Sequence, residues 1–187
     1  MVKSGTLAFN SLPSYSDDEV FLVQSSAIVR YLAKKFGLNG SNLKEESLID
    51  QFAEGVSDLV MIPRTAFNVM YPVQQEVTSE TLENSMEKIL LEKIPHFLTF
   101  FERALEGKIF LVGDKISYAD ISLFYALDIF LEVWGEYFVK QLSKLQNLKH
   151  FHQRIKSREG IQNHLNNPKR FPKQPFPGYD KVLSHLH

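Results

Sequence analysis

Residues 12–36 read LPSYSDDEVFLVQSSAIVRYLAKKF, and the rest of the chain is organised around this stretch. A short strand signal follows Leu12-Pro13, and the polar residues 16–19 predict a turn before a second strand at 20–23. Apolar residues then recur at spacings of three and four, which predicts an amphipathic helix to about residue 36. The hairpin and the helix start together place polar side chains and free backbone N–H groups at one point, which suits a small carboxylate.

The segment Gln24-Ser25-Ser26 has two interpretations. A serine before an apolar periodic run commonly caps a helix by accepting hydrogen bonds from its first N–H groups. The glutamine and serine could instead hold an anion at the positive end of the helix dipole. The Leu12-Pro13 bond could be cis or trans when the neighbouring residues alone are considered. Only about one X-Pro bond in twenty is cis in folded proteins.

The composition is that of an ordinary soluble globular protein. Hydrophobic residues make up 44% of the 187 residues, charged residues 23%, and the formal net charge is −1. This balance favours neither nucleic acid nor an anionic membrane as a partner. No apolar run reaches membrane-spanning length and the N-terminus lacks a signal-peptide core, so we expect a cytoplasmic protein.

The sequence contains no cysteine, so the chain's own side chains offer neither disulfides nor a thiolate nucleophile. Any thiol chemistry would have to come from a bound thiol. We also expect no metal site, because His150 and His152 lie two positions apart on a predicted helix and their side chains diverge.

Beyond residue 38, helical periodicity predicts an all-helical region. One helix should run from 44 to about 60, with Pro63 kinking or restarting it. A second, capped by Thr78 or Ser79, should extend to about residue 106 with a bend at Pro95. Further helices are expected near 137–142, 145–158 and 160–165. The proline-rich tail 166–187 should lie over the surface as an extended or partly mobile segment.

Residues 110–124, FLVGDKISYADISLF, carry the clearest helix-start motif. Ser117 and Asp120 have the spacing of a capping box, and Ile116 with Ile121 could form a hydrophobic staple around it. The helix that follows is apolar on nearly every face, so we expect it to be the buried centre of a helical bundle.

The Leu12-Pro13 pair, the Gln24-Ser25 pair and the run AIVRYLAKKFGLNG at 27–40 together resemble the cytosolic glutathione transferases. The resemblance implies a mainly α protein, with a partial thioredoxin-like segment at 1–38 (a β-hairpin plus a helix) and the family's all-helical C-terminal domain at 39–187. In that family, the residue before a cis-proline pairs its backbone with the cysteinyl part of glutathione, and a Gln-Ser pair holds the γ-glutamyl carboxylate. These glutathione-binding roles would fall on Leu12, with Pro13 shaping the turn, and on Gln24 and Ser25.

The resemblance also implies a homodimer. The segment LIDQFAEGVSDL at 48–59 is similar to alpha-type members, in which the aspartate at the position of Asp58 reaches the glutathione of the partner subunit. A lone aspartate on a helix more often faces solvent. Those members carry an arginine near the position of His96, where this chain has histidine. Phe9 matches an aromatic residue that some classes insert into the partner, and ordinary packing is the alternative.

The family's opening β-α-β unit is not matched. About eleven residues precede Leu12, whereas such a unit needs roughly 30 or more. In the family that unit carries the Tyr, Ser or Cys that stabilises the glutathione thiolate, so we expect no catalytic residue among those present. We also expect the strand after Pro13 to have an open edge, and Leu32 and Phe36 to be partly bare.

Two functions remain open at this point. The first is a glutathione transferase that conjugates glutathione, as co-substrate, to small hydrophobic electrophiles in detoxification. The second is a non-catalytic binding or interaction protein built on the same helical domain. The matched glutathione-binding motifs favour the first, and the unmatched opening unit favours the second.

Overall fold

The computed structural model describes residues 8–9, 12–70, 79–170 and 179–186. A small antiparallel hairpin packs on the first helix, and the remaining helices form a bundle. The strands are β1 (Ser14–Ser16) and β2 (Phe21–Val23). The helices are α1 (Ser25–Lys35), α2 (Leu43–Met70), α3 (Ser79–Lys88), α4 (Ile94–Ala104), α5 (Tyr118–Ser143), α6 (Gln146–Lys156), α7 (Glu159–Leu165) and α8 (Tyr179–Leu186).

The predicted hairpin and the helix after it are confirmed. Ser14 pairs with Val23 and Ser16 with Phe21, and among the described residues the sheet has these two strands only. In the described part of the chain, no further strand pairs with the outer edge of β1 or of β2. The helix α1 is followed by Gly37, whose backbone is left-handed (φ 68°). Residues with a Cβ adopt this conformation only at a cost, so glycine suits the position.

The helix α2 differs from the sequence-based expectation. It runs as one element from Leu43 to Met70 with Pro63 inside it, so the helix does not restart at the proline. The predicted helix over 79–106 begins at Ser79 as expected, but it consists of three consecutive segments. A π-helical turn at Ile89–Lys93 precedes α4, and Pro95 is the second residue of α4. The change in hydrogen-bond pattern thus lies just before the proline, which has no N–H to donate to a helical carbonyl.

The helix α5 is the buried centre of the bundle, as predicted. Thirteen of its residues are buried, and Phe130 stacks on Trp134 with ring centroids 4.4 Å apart. Gly135 (φ 50°, ψ −129°) breaks the helical backbone, so the second part changes direction there. The Tyr137 hydroxyl beyond the break donates to the carbonyl oxygen of Leu90 at 2.6 Å, which ties this second part to the π-helical turn.

The expectation of an extended tail is wrong for its last part. Residues 179–186 form α8, and Val182 and Leu183 are buried in the hydrophobic core. A helix this short gains its stability from tertiary packing rather than from its own periodic pattern. The tail therefore contributes to the core.

The capping box at the start of α5 is confirmed. The Asp120 carboxylate accepts hydrogen bonds from the Ser117 N–H (2.8 Å), the Ser117 hydroxyl (2.7 Å) and the Leu111 N–H (2.9 Å). Asp120 and Ser117 are both buried. Burial raises the pKa of the Asp120 carboxyl, and the hydrogen bonds oppose that rise.

The substitution Asp120→Ala should strongly destabilise the fold, because it leaves two buried backbone N–H groups without an acceptor. Loss of the cap and of these bonds predicts a decrease of about 3 kcal/mol in the free energy of unfolding. Chemical denaturation measures this directly. Asp114→Ala, at an exposed position on the preceding turn, is the control. A change below about 0.5 kcal/mol in the Asp120 variant would show that the capping box is dispensable.

Candidate functional site

The open end of the hairpin brings four of the predicted site residues together. The strand β1 begins directly after Pro13 and β2 ends directly before Gln24, and the pairing of Ser14 with Val23 sets these two ends side by side. The Leu12-Pro13 peptide bond is cis. Gln24, Ser25 and Leu12 are all exposed, with Leu12 73% exposed. We call this arrangement of Leu12, Pro13, Gln24 and Ser25 the corner.

Gln24 has an unusual backbone conformation, with φ 74° and ψ 113°. Positive φ is uncommon for residues other than glycine and often marks a functional position. The Gln24 carbonyl accepts the Ile28 N–H at 3.0 Å, so the helix ladder begins at this residue. The Gln24 side chain makes no capping hydrogen bond, and the first turn of α1 contains no acidic residue. This arrangement leaves the positive end of α1 with neither a Gln24 side-chain cap nor an acidic side chain in its first turn.

A cleft of about 290 Å³ opens beside Ser25, between α1 and α2. Its walls are mainly apolar and include Val29, Val60, Met61 and the half-exposed Tyr125. A volume of this order is at the lower limit of small-ligand pockets, which start at roughly 300 Å³. The cleft can therefore accommodate a compact apolar molecule next to the corner.

The charged groups along this cleft neutralise one another. The Arg30 guanidinium forms ion pairs with Glu54 and, at 3.5 Å, with Asp50 of α2. Burial acts against its charge, but Glu54 and Asp50 hold the pKa of Arg30 above its ordinary value. The Tyr118 hydroxyl donates to Asp50, and burial together with that carboxylate raises the pKa of Tyr118 well above its usual range. The cleft thus offers an apolar rather than a charged surface.

A polar cluster at the other end of the hairpin was not found by sequence reasoning, which assigned residues 16–19 only to a turn. The Asp17 carboxylate accepts hydrogen bonds from the Tyr31 hydroxyl (2.8 Å), the Lys35 ammonium (2.7 Å) and the Tyr15 hydroxyl (3.1 Å). Lys35 and Tyr31 hold the pKa of the Asp17 carboxyl well below its usual range. We call these four residues the Asp17 cluster. The spacing of four between Tyr31 and Lys35 was the one available sequence signal, since it places both on one face of α1.

Neither a metal centre nor a membrane span is found in the described parts of the chain. No group of three or more metal-ligating side chains comes together there. No helix among the described residues is long and apolar enough to cross a bilayer.

Comparison with known proteins identifies the family. Residues 66–168 match the family model described as "Glutathione S-transferase, C-terminal domain". The chain belongs to the glutathione S-transferase family. The fold predicted for the family is also confirmed, because the structure resembles the Pi-class glutathione S-transferase of Onchocerca volvulus with a TM-score of 0.68 and 35% identity. That match covers 85% of this chain and 71% of the solved one.

Curated relatives of this transferase-family chain come from nematodes and vertebrates. It is 39% identical to glutathione S-transferase 2 of Onchocerca volvulus over 80% of this chain and 67% of the relative. It is 37% identical to glutathione S-transferase A4 of Mus musculus over 68% of this chain and 54% of the relative. A Dirofilaria immitis glutathione S-transferase matches over 65% of its own length. The chain thus spans between about half and two thirds of these relatives.

The residues expected at the subunit interface of this transferase-family chain are exposed in the structure. Asp58 is exposed on α2 and His96 is exposed on α4, where its ring meets that of Phe100 edge-on at 5.0 Å. Phe9 is 73% exposed. Both interpretations of Phe9, insertion into a partner and ordinary packing, stay predictions.

Four tyrosine hydroxyls in the described part of the chain donate hydrogen bonds to acceptors that lie away from the corner. Tyr15 and Tyr31 donate to Asp17, Tyr118 donates to Asp50, and Tyr137 donates to a main-chain carbonyl. Tyr71 and Tyr179 have no described side chain. The structure therefore brings the predicted binding residues together, but it shows no tyrosine hydroxyl bonded at the corner.

The Tyr31 hydroxyl should titrate abnormally late. Hydrogen bonding to Asp17, together with burial and Glu19, raises the pKa of Tyr31 to about 12. The contribution of this phenol to stability is fully present below its unfolded pKa of about 10 and is lost as pH rises toward 12. An ultraviolet difference titration of wild type against Tyr31→Phe measures the transition. A midpoint near pH 10 in that difference would show that the Asp17 contact is not formed.

Proposed function

We propose that this protein binds glutathione at the corner, through Leu12, Pro13, Gln24 and Ser25, and serves as a glutathione transferase for small hydrophobic electrophiles. The observation that carries the proposal is the convergence of the cis Leu12-Pro13 bond and the Gln24-Ser25 pair at the open start of α1. Family membership supports it, since the relatives are named glutathione S-transferases.

Two parts of glutathione, the γ-glutamyl carboxylate and the cysteinyl backbone, would have a counterpart at the corner. The γ-glutamyl carboxylate would accept hydrogen bonds from the first N–H groups of α1 and from the side chains of Gln24 and Ser25. An anion at a helix start gains roughly 0.3–1 kcal/mol when exposed, and up to about 2 when partly buried. The cysteinyl part would pair with the exposed backbone of Leu12, which continues the line of β1 at an open sheet edge.

The transfer step joins the sulfur of glutathione to the electrophile. The thiol loses its proton to solvent, and the thiolate then attacks an electrophilic carbon. A C–S bond forms as the leaving group, or an adjacent unsaturated atom, takes the electron pair. The electrophile would lie in the apolar cleft beside Ser25. A thiol with a pKa of about 8.5 is mostly protonated near neutral pH, so efficient transfer also needs a donor that stabilises the thiolate.

The proposal includes the assembly of the protein. Residues 1–38 form the glutathione-binding segment, and residues 39–187 form the helical domain. Two copies form a homodimer in the cytoplasm, in which Asp58 of each subunit contacts the amino group of the neighbour's glutathione. The exposure of Asp58 and Phe9 in the single chain is compatible with both interface roles.

A second candidate function is a non-catalytic glutathione-binding or interaction protein with the same fold. The observation that favours it is that Tyr15, Tyr31, Tyr118 and Tyr137 all donate to acceptors away from the corner. A transferase must bind glutathione and stabilise its thiolate, whereas a non-catalytic binding or interaction protein need not stabilise the thiolate.

Glutathione binding should depend on the side chains of Gln24 and Ser25. Gln24→Gly keeps a backbone that readily adopts positive φ while removing the amide, so binding should weaken without loss of folding. Ser25→Ala should raise the Kd for glutathione about tenfold, because it removes a hydrogen bond to a carboxylate worth roughly 1.5–3 kcal/mol. Isothermal titration calorimetry measures both variants. Ser157→Ala, at an exposed serine after α6, is the control. Unchanged affinity in both corner variants would refute the binding site.

A conjugation assay separates the two candidate functions. For a transferase, a generic aromatic electrophile should be conjugated at a rate well above the uncatalysed reaction, with saturation in glutathione. Gln24→Gly should raise the KM for glutathione. Calorimetric binding of glutathione combined with a rate equal to that of free glutathione would assign the protein to the non-catalytic function.

A further inference from the structure

The two oxygens of the Asp17 carboxylate have different partners. The Oδ1 atom accepts the N–H groups of Glu19 and Val20, each at 3.0 Å, and so shapes the turn between the strands. The Oδ2 atom accepts hydrogen bonds from Tyr31 and Lys35 on α1. One side chain therefore closes the hairpin turn and also attaches that turn to the helix.

The hairpin lies along α1 and is held at both ends. At the corner, Gln24 joins β2 directly to α1. A strand of this length spans about 10 Å, while Tyr31 and Lys35 lie roughly 9 and 15 Å along α1 from its first residue. The turn therefore folds back to the middle and end of α1, where the Asp17 cluster fixes it.

Apolar packing contributes little to this attachment. Among the strand residues, only Val23 is buried, and Phe21 is 49% exposed. The Tyr15 and Tyr31 rings meet at 5.9 Å within the Asp17 cluster itself. A two-stranded hairpin is marginally stable in water by itself, so its orientation depends on contacts of this kind.

We propose that Asp17 is a positioning residue for the corner: by fixing the turn to Tyr31 and Lys35, it sets the angle of the hairpin on α1 and keeps Leu12-Pro13 next to Gln24-Ser25. This inference rests on the proposed glutathione binding. Asp17 lies at the opposite end of the hairpin and does not touch the ligand. Without the Asp17 cluster, the hairpin can pivot at Gln24, and the backbone of Leu12 moves away from the carboxylate site.

The test compares two lysines one position apart on α1. Lys35→Gln and Asp17→Asn break the Asp17 cluster, whereas Lys34→Gln breaks an ion pair with Glu46 of α2 and leaves the hairpin untouched. In the first two variants, amide hydrogen exchange in β1 and β2 should become about tenfold faster, and the Kd for glutathione should rise about tenfold because the site is misplaced. Lys34→Gln should match wild type in both measurements. Asp17→Glu, which keeps a carboxylate for Tyr31 and Lys35, should recover part of the affinity.

The outcomes distinguish this inference from the proposed function. Absence of glutathione binding by the wild-type protein would refute the proposed function, and the positioning role would fall with it. Wild-type binding with an unchanged Kd in Asp17→Asn would refute only the positioning role. Faster exchange confined to the hairpin, together with weaker binding and the same unfolding transition of the bundle, would support it.

Discussion

The start of α5 is the point on which the rest of the structure depends. The buried Asp120 carboxylate holds the turn before the helix and its first residues. The next residue after the cap, Tyr118, then connects this point to the residues after α1 and to α2, because its N–H donates to the Leu38 carbonyl at 2.9 Å and its hydroxyl donates to Asp50. Asp50 in turn pairs with Arg30 of α1. The helix α1, which begins at the corner, is therefore attached to the bundle beside the capping box, through the hydrogen bonds of Tyr118 and the ion pair of Asp50 with Arg30.

The contact between α1 and the bundle includes more ion pairs and less apolar packing than the core of the bundle. A groove of about 410 Å³ lies between α1 on one side and α5 and α7 on the other, and Phe36 is 68% exposed, as the sequence suggested. The ion pairs of Arg30 and Lys34 with α2 are partly exposed and individually worth little. We therefore expect the hairpin and α1 to open more readily than the bundle, since local stability follows buried apolar contact. This is why a polar attachment such as the Asp17 cluster has a large influence on the geometry of the corner.

The features that sequence reasoning recovered are those encoded by short spacing. The alternation of strand and turn residues gave the hairpin, the spacing of three between Ser117 and Asp120 gave the capping box, and apolar residues on every face identified α5 as central. The features it missed depend on distant partners. Asp17 contacts residues 14 and 18 positions away, and α8 is held by burial of Val182 and Leu183 in a core formed mainly by earlier helices. No local pattern reports such contacts.

Recognition and chemistry make different physical demands on this site. Binding a carboxylate at the corner needs only free N–H groups and two polar side chains, and the hairpin and α1 supply them from adjacent residues. Activating a thiol needs a donor aimed at the sulfur, which is a different atom from the γ-glutamyl carboxylate that the helix start would hold. The hydroxyls of Tyr31, Tyr118 and Tyr137 donate instead to Asp17, Asp50 and the Leu90 carbonyl, respectively. The proposed binding of glutathione and the proposed transfer step therefore depend on different groups, and those at the corner serve the first.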